Sequence, residues 1–544
     1  MSPELLGTMQ DFPLTLTHIL RRMRTVHGAH EVVTQTDADG HVAQASFAEV
    51  AERVDRLGAG LRALGIQPGD RVGTFAWNSQ EHLEAYYAIP CLGAVLHTLN
   101  LRLSPELVAY TVNHARDRVL IVDASLMDDL QRIAPLLETV EHFVVIGEAD
   151  SGALSGVVRY EELLSQQAPG MDWPDLDERA AAALCYTSGT SGNPKGVLYT
   201  HRSLALHALI MSGHDTYRLG ESDRVLAVVP MFHAMGWNVP YIAGLIGTDL
   251  ILPRRYLQPQ HLARLIAGQR VTSSAGVPTV WMDLLHYADE HANDLSSLEV
   301  VICGGTQVPS VLMHDFEAHH GVKVIQGWGM TETFPGAVLG HEPPGADEQQ
   351  RWAYREMAGR ISPFYEIRVV DDAGTVLASD GVSTGEIEVR GPAVASGYYD
   401  NAHASAERID DGWLRTGDIG TVDDRGWLRI TDRAKDVIKS GGEWISSVDL
   451  ESALMAHPNV VEAAVIGSPD SRWSERPLAC VVTSKDTLPG ELNEFLSSRV
   501  AKWWLPDEYA FLPQIPKTSV GKFDKKALRD LLAQDLLPER RRVG

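Results

Sequence analysis

The run Tyr186-Thr-Ser-Gly-Thr-Ser-Gly-Asn-Pro-Lys-Gly196 packs hydroxyl and glycine residues ahead of a lysine. Gly189 and Gly192 let backbone N–H groups turn toward a ligand. The hydroxyls of Thr187, Ser188, Thr190 and Ser191 and the ammonium of Lys195 add donors and charge. That is the composition of a loop that cradles phosphate. It is not a Walker A loop, because Pro194 stands where glycine should precede the lysine and Gly196 where Ser or Thr should bind magnesium. The competing reading is a surface turn, since Pro-Lys-Gly is also ordinary turn chemistry.

Other segments share this texture. Cys303-Gly304-Gly305-Thr306 follows the apolar Val300–Ile302, and Gln326-Gly-Trp-Gly-Met-Thr-Glu332 follows Val322–Ile325. Glycine-rich turns at the carboxyl ends of parallel strands are where α/β sheets bind ligands. Trp328, between Gly327 and Gly329, offers a flat face to a base, although a lone tryptophan more often belongs to a core. Thr331 and Glu332 offer oxygens to a hard cation. Trp413-Leu-Arg-Thr-Gly-Asp418 ends in a carboxylate suited to ribose hydroxyls. Arg433, Lys435 and Lys439 precede the Gly441-Gly442 turn and Trp444, and Pro516-Lys-Thr-Ser-Val-Gly-Lys522 sets a lysine on a short loop. His233 precedes Met235-Gly236-Trp237, which reads as a mobile apolar stretch. One lysine among 47 basic residues carries no weight alone; the ordered set does.

The elements that must position these residues alternate. Ser46-Phe-Ala-Glu49 has capping-box spacing, and Phe47, Val50, Val54, Leu57, Leu61 and Leu64 follow at helical intervals. Pro68-Gly69-Asp70 turns the chain into a strand over residues 71–77, and Ser104-Pro105-Glu106 opens another helix. Strands are expected at 119–122, 143–146, 181–186, 197–200, 225–229 and 298–303. Strands separated by helices imply parallel sheets covered on both faces, and two such sheets suit residues 30 to 340. Between 359 and 430, short β-rich segments alternate with turns and predict an antiparallel lobe. From 432 the chain reads as a compact α+β unit with a solvated basic tail, Arg540-Arg541-Arg542. The expected fold class is therefore α/β plus α+β: a large N-terminal domain of two parallel-rich αβ sheets and a β-rich lobe, then a small C-terminal domain.

Length and charge bound the answer. The chain has 544 residues, too many for one core, and a net charge of −25. That charge argues against nucleic-acid binding, which needs a basic face. Cys91, Cys185, Cys303 and Cys480 lie far apart with no metal-ligand spacing, which fits buried thiols and a reducing, cytoplasmic setting. No secretory pattern opens the sequence, and no apolar run approaches the roughly 20 residues of a membrane span.

The ordered set 186–196, 327–332, 415–418, 432–439 and Lys522 resembles the adenylate-forming superfamily of acyl-CoA synthetases, luciferases and peptide-synthetase adenylation domains. Pro230-Met-Phe-His-Ala-Met-Gly-Trp237, Lys439-Ser-Gly-Gly-Glu-Trp-Ile-Ser-Ser447 and Glu475-Arg-Pro-Leu478 make it similar to bacterial long-chain fatty acyl-CoA synthetases. The resemblance runs from about residue 15 to 535. It implies ATP, Mg²⁺ and coenzyme A, and two steps: formation of an acyl-adenylate, then of a thioester. The loop from Thr187 through Ser188, Gly189, Thr190, Ser191 and Gly192 to Lys195 would hold the β- and γ-phosphates, with Thr187 and Glu332 on the metal. Gly304, Gly305 and Thr306, with Gln326, Gly327, Trp328 and Gly329, would form the adenine site. Many relatives have Tyr where Trp328 stands, so a flat ring is retained.

By the same resemblance Thr331 would meet the α-phosphate, Asp418 and Arg433 the ribose, and Lys435, Lys439 and Trp444 the nucleotide. Lys522 would neutralise charge during adenylation. The division falls at 1–431 and 432–544, with Asp432 as hinge of a mobile C-terminal domain whose rotation withdraws Lys522 and brings in Gly441-Gly442 for pantetheine. His233 would face carboxylate entry, and Trp237 would gate a fatty-acid tunnel. The leading expectation is a ligase for medium- to long-chain fatty acids. Aryl or short acids, and transfer to a separate carrier protein, stay open as alternatives, as do peripheral membrane contact and a homodimer. A peptide-synthetase module has no room for a carrier domain after Lys522. A non-catalytic binder would lack Lys522 or Glu332.

Overall fold

The computed structural model describes residues 7–150, 152, 154–187, 193–291, 293–433, 436–440, 443–470, 472–518, 522–538 and 540–543, with the backbone alone at 439, 443 and 444. The capping box forms as its spacing predicts. Ser46 Oγ accepts from the Glu49 backbone N–H at 3.2 Å, and the Ser46 N–H donates to Glu49 Oε2 at 2.7 Å, opening the helix Phe47–Ala63. Its stripe of Phe47, Val50, Val54, Leu57 and Leu61 is fully buried. This helix packs against the helix Gln80–Cys91, which in turn covers the first of three sheets.

That first sheet has seven strands, in the order Val157–Arg159, His142–Ile146, Asp117–Asp123, Arg71–Phe75, Val95–Thr98, Ala181–Tyr186 and Gly196–Thr200. All pair in parallel except the last, which runs antiparallel to Ala181–Tyr186. The glycine- and hydroxyl-rich segment therefore joins strand to strand. A Walker loop would join strand to helix.

The second sheet joins the expected parallel region to the expected β-rich lobe. Its parallel centre runs Glu31–Gln35, Asp249–Leu252, Arg224–Ala227, Ser273–Gly276, Val300–Gly304 and Lys323–Trp328. The β-rich lobe is not a separate body. The two-residue strand Val338–Leu339 pairs antiparallel with Lys323–Trp328, and Gly359–Ile361, Trp427–Arg433, Trp413–Val422, Gly385–Arg390 and Glu366–Val370 extend the same sheet, which reaches fourteen strands with Val42–Ser46 and Ile409–Asp410. Gln326, Gly327 and Trp328 are accordingly the last residues of a strand, where the sequence suggested a turn. Gly304 shows why a glycine is needed there: a Cβ would lie 2.5 Å from the Gly327 carbonyl oxygen.

The third sheet starts at Ile438–Ser440 and holds six strands, dominated by the long hairpin Val460–Asp470 and Ser474–Thr483. It packs its own apolar cluster, including Ile438, Leu450, Val465, Val481 and Tyr509. The basic tail is exposed, and it is also ordered as a strand. Arg540–Arg542 is the edge strand beside Glu508–Phe511, with Arg540 and Arg542 both on the Glu508 carboxylate at 2.7 Å and Arg541 over the Phe511 ring. The four cysteines are buried and unbridged. Among the described residues no helix is long and apolar enough to cross a membrane.

Candidate active site

One cleft of about 750 Å³ opens where the carboxyl ends of Val300–Gly304 and Lys323–Trp328 meet the β-rich lobe and the small C-terminal unit. Thr187, Lys195, His233, Trp237, Gly305, Thr306, Gln326 to Glu332, Asp418, Asp432, Arg433 and Lys522 all line it. Gly304 lies just behind, its bare Cα facing the Trp237 indole. Ser188 to Gly192, Lys435, Gly441 and Gly442 lie outside the described residues, as do the side chains of Lys439 and Trp444.

The ends of the phosphate-type loop are tied together. The Thr187 N–H donates to the Lys195 carbonyl at 2.9 Å, and the Lys195 N–H donates to Thr187 Oγ1 at 3.1 Å. The Lys195 ammonium sits 5.1 Å from the centre of the Tyr398 ring. The Tyr398 hydroxyl donates to Glu332 Oε1 at 2.6 Å, so one tyrosine touches both the loop lysine and the acidic residue. Sequence reasoning missed Tyr398; in a single sequence nothing separates it from Tyr399 beside it. Glu332 is buried, and its carbonyl accepts from the Ala395 N–H at 2.7 Å. The Tyr199 hydroxyl fixes the Thr331 carbonyl at 2.5 Å.

At the nucleotide-type end, the Trp328 indole N–H donates to Asp418 Oδ2 at 2.8 Å, and Arg433 Nε stands 3.3 Å from Asp418 Oδ1. Gln326 is engaged at both ends of its amide: Oε1 accepts from the Val308 N–H at 2.9 Å and Nε2 donates to the Met357 carbonyl at 2.7 Å. These bonds brace the cleft wall, and Oε1 keeps a second acceptor lone pair.

The stretch after His233 is a buried, left-handed turn. Ala234, Met235, Gly236, Trp237 and Asn238 are buried, and all five have left-handed φ, from +34° to +65°. Such backbone costs a non-glycine residue about 1–2 kcal/mol. The turn is pinned at its far end, where Asn238 Nδ2 donates to the Leu204 carbonyl at 3.1 Å and stands 3.0 Å from His207 Nδ1. Burial, then the positive charges of Lys522 and Arg102, push the His233 imidazole down to about 3, so it is neutral at pH 7. Tyr217, Met330, Pro335 and Gly336 line the same cleft.

Lys522 enters from the C-terminal unit. A methyl group on Gly305 would lie 3.5 Å from Lys522 Cε and 3.9 Å from Nζ. Its loop is closed by Thr518, whose N–H donates to the Lys522 carbonyl at 2.7 Å. Three residues on, Lys525 donates to Ser447 Oγ at 2.6 Å and pairs with Glu451 at 2.7 Å. The Ser447 hydroxyl and N–H both donate to Asp432 Oδ2 at 2.7 Å. Burial raises the Asp432 carboxyl, against the pull of Lys525 and these donors. Lys525 went unread in the sequence, because a charged helix start after a loop is usually solvent-facing.

A strand-to-strand phosphate-type loop, a carboxylate beside an indole and a lysine from a second unit define the adenylate-forming fold. The AMP-binding enzyme profile matches residues 21–399 and its C-terminal domain profile residues 449–522. The chain belongs to the AMP-binding enzyme family. A long-chain-fatty-acid–CoA ligase of Thermus thermophilus is 46% identical over 530 residues, 96% of either chain. A 3-methylmercaptopropionyl-CoA ligase of Ruegeria lacuscaerulensis is 40% identical, over 97% of this chain and 98% of its own. Among solved structures, an anthranilate CoA ligase in complex with anthranoyl-AMP superposes with a TM-score of 0.87 at 28% identity, covering 97% of this chain and 99% of that one. Within the family, this chain takes its place among the AMP-forming acid–CoA ligases.

Proposed function

We propose that the protein activates medium- to long-chain fatty acids, first as acyl-adenylates and then as coenzyme A thioesters. The observation that carries the acid class is that Tyr217, Met330, Pro335 and Gly336 line the cleft together with the Trp237 indole. The 46% identity to a long-chain enzyme supports the same reading. The anthranilate enzyme and the 3-methylmercaptopropionyl enzyme favour a second reading, an aryl or short acid in a shallower pocket. A carrier protein in place of coenzyme A is the remaining alternative for the acceptor.

In the first step a carboxylate oxygen of the acid attacks the α-phosphorus of ATP, the bond to the bridging oxygen breaks, and pyrophosphate departs. Lys522 beside Gly305 and Lys195 at the loop supply positive charge in a partly enclosed site, where it is worth more than in water. Positioning contributes the rest, so no protein nucleophile is needed. Thr187 and Glu332 are oxygen donors on the same cleft, the donor set a hard cation takes, and the residues fit magnesium. Bound there, magnesium would offset the charge of the phosphate oxygens. His233, neutral, can hydrogen-bond the entering acid without competing as a cation.

In the second step the thiol sulfur of coenzyme A attacks the acyl carbon and AMP leaves, with the thiol proton lost to solvent or to the departing phosphate. We assign Asp432 as the hinge between residues 1–431 and 432–544 for this step. It is the penultimate residue of Trp427–Arg433, the last strand of the large sheet before the small one begins. The left-handed turn that carries Trp237 supports gating, because four strained non-glycine residues have conformational energy to release when the indole swings.

The test is AMP release with ATP, magnesium and coenzyme A across acids from acetate to oleate, with an aryl acid and 3-methylmercaptopropionate included. The expected outcome is the highest kcat/KM among medium and long chains. Preference for the aryl or short acids replaces the substrate assignment. Activity with none overturns the ligase reading.

A further inference from the structure

Trp328 and Asp418 come from different parts of the second sheet, 90 residues apart. Trp328 ends the parallel strand Lys323–Trp328, whereas Asp418 lies on Trp413–Val422 in the antiparallel lobe. Both are buried, at 9% and 7% exposure, and both face the cleft. The backbone under Asp418 is also set: its N–H donates to Thr416 Oγ1 at 3.1 Å, after Gly417 at φ +75°. The side chain remains to be oriented.

An ionised carboxylate has about four acceptor sites. The Trp328 indole takes one on Oδ2 and Arg433 takes one on Oδ1. Among the described residues this leaves one acceptor site on each oxygen, which matches a vicinal diol. A phenylalanine would present the same flat face with no N–H, so base stacking and carboxylate orientation are separable properties of this side chain.

We infer that Trp328 is a positioning residue for nucleotide recognition: its indole N–H holds the Asp418 carboxylate so that the two free acceptor sites meet the ribose 2′- and 3′-hydroxyls of ATP. The inference rests on the nucleotide assignment made under Proposed function. It makes ribose discrimination a property of the tryptophan that the family resemblance sets against the base.

The experiment compares kcat/KM for ATP, 2′-deoxy-ATP and 3′-deoxy-ATP, with one acid and hydroxylamine trapping, in the wild type, Trp328→Phe, Asp418→Asn and the double variant. Losing a hydrogen bond to a charged, buried partner costs about ten- to a hundredfold, so the wild type should disfavour each deoxynucleotide by that order. In Trp328→Phe that preference should shrink by about tenfold, while discrimination between ATP and GTP persists because the ring face remains. On the Asp418→Asn background Trp328→Phe should change ribose discrimination no further. A merely structural bond between lobe and core would lower stability or turnover and leave the ribose ratio intact.

Wild-type ribose ratios in a folded Trp328→Phe, or effects of the two variants that multiply, overturn the inference and leave the nucleotide site standing. A wild type that adenylates no acid with ATP overturns both. If melting curves show that Trp328→Phe does not fold, Trp328→Met gives the same readout, since it too fills the site without an N–H.

Discussion

Replacing Tyr398 by Phe removes one oxygen atom from the site. The ring stays 5.1 Å under the Lys195 ammonium, so the cation–π contact survives. The bond lost is the 2.6 Å donation to Glu332 Oε1, from a hydroxyl whose pKa burial and the adjacent carboxylate raise, so it is always a donor at neutral pH. A hydrogen bond to a charged acceptor contributes about 1.5–3 kcal/mol. At about 1.4 kcal/mol per factor of ten, that predicts a ten- to hundredfold fall in adenylation rate. Because Glu332 is one of two residues assigned to the metal, the loss should appear as a higher magnesium concentration for half-maximal rate. The assay is pyrophosphate release with hydroxylamine trapping, titrated with magnesium. Thioester formation from supplied acyl-adenylate serves as the internal control and should change little. An unchanged or lowered magnesium requirement would refute the idea that Tyr398 orients Glu332 for a cation.

Lys522→Ala should abolish acyl-adenylate formation and largely spare thioester formation from supplied acyl-adenylate; equal loss in both half-reactions removes Lys522 from the first step. Trp237→Ala should change fatty-acid KM and its dependence on ATP while melting within a few degrees of the wild type; an unchanged KM counts against the gate. Burial pulls His207 down to about 4 from 6.5, and its Nδ1 faces the Asn238 amide while Nε2 lies 2.7 Å from the Pro335 carbonyl. The fold therefore binds fewer protons than the unfolded chain between these values, so this stability is present above pH 6.5 and lost as pH falls through about 4. By about pH 5 the loss is roughly 2 kcal/mol, and the drop in Tm from pH 7 should be smaller in His207→Gln; an identical drop refutes the assignment.

Local signals were legible because they depend on neighbours in sequence. The capping box at Ser46 and Glu49 formed, and Ala181–Tyr186 has the bounds its apolar run predicts. The antiparallel lobe after residue 359 was also readable from its turns. Its continuity with the parallel sheet was not, because that depends on the two residues Val338 and Leu339. A strand so short has no periodicity to read. The left-handed turn at 234–238 was equally hidden: Ala, Met, Trp and Asn have no common preference for it, and tertiary clamps impose it. The family resemblance brought Glu332, Asp418 and Lys522 together in advance. It said nothing of Tyr398 or of the bond between Trp328 and Asp418, which are pairings between distant segments.

The placement of Lys525 bears on how the two half-reactions can share one small domain. The Asp432 backbone pairs with Ile419 in the large sheet, but its carboxylate is held by Ser447, and through Ser447 by Lys525, both in the C-terminal unit. Lys525 begins the helix Lys525–Ala533, capped by Asp524, whose N–H donates to the Pro516 carbonyl at 2.7 Å and closes the base of the Lys522 loop. The Asp432 side chain, proposed as the hinge, and the Lys522 loop are thus parts of one hydrogen-bonded body. A rotation that keeps these bonds would turn about torsions of residue 432 itself, upstream of its side chain or within it, and would carry Lys522 away from Gly305 as it goes. Independent movement of the Lys522 loop would leave the buried Lys525 ammonium and the Asp432 and Glu451 carboxylates to break their contacts, at a cost of several kcal/mol for uncompensated charge. The network therefore favours a rigid swing of the whole unit over local retraction of the lysine.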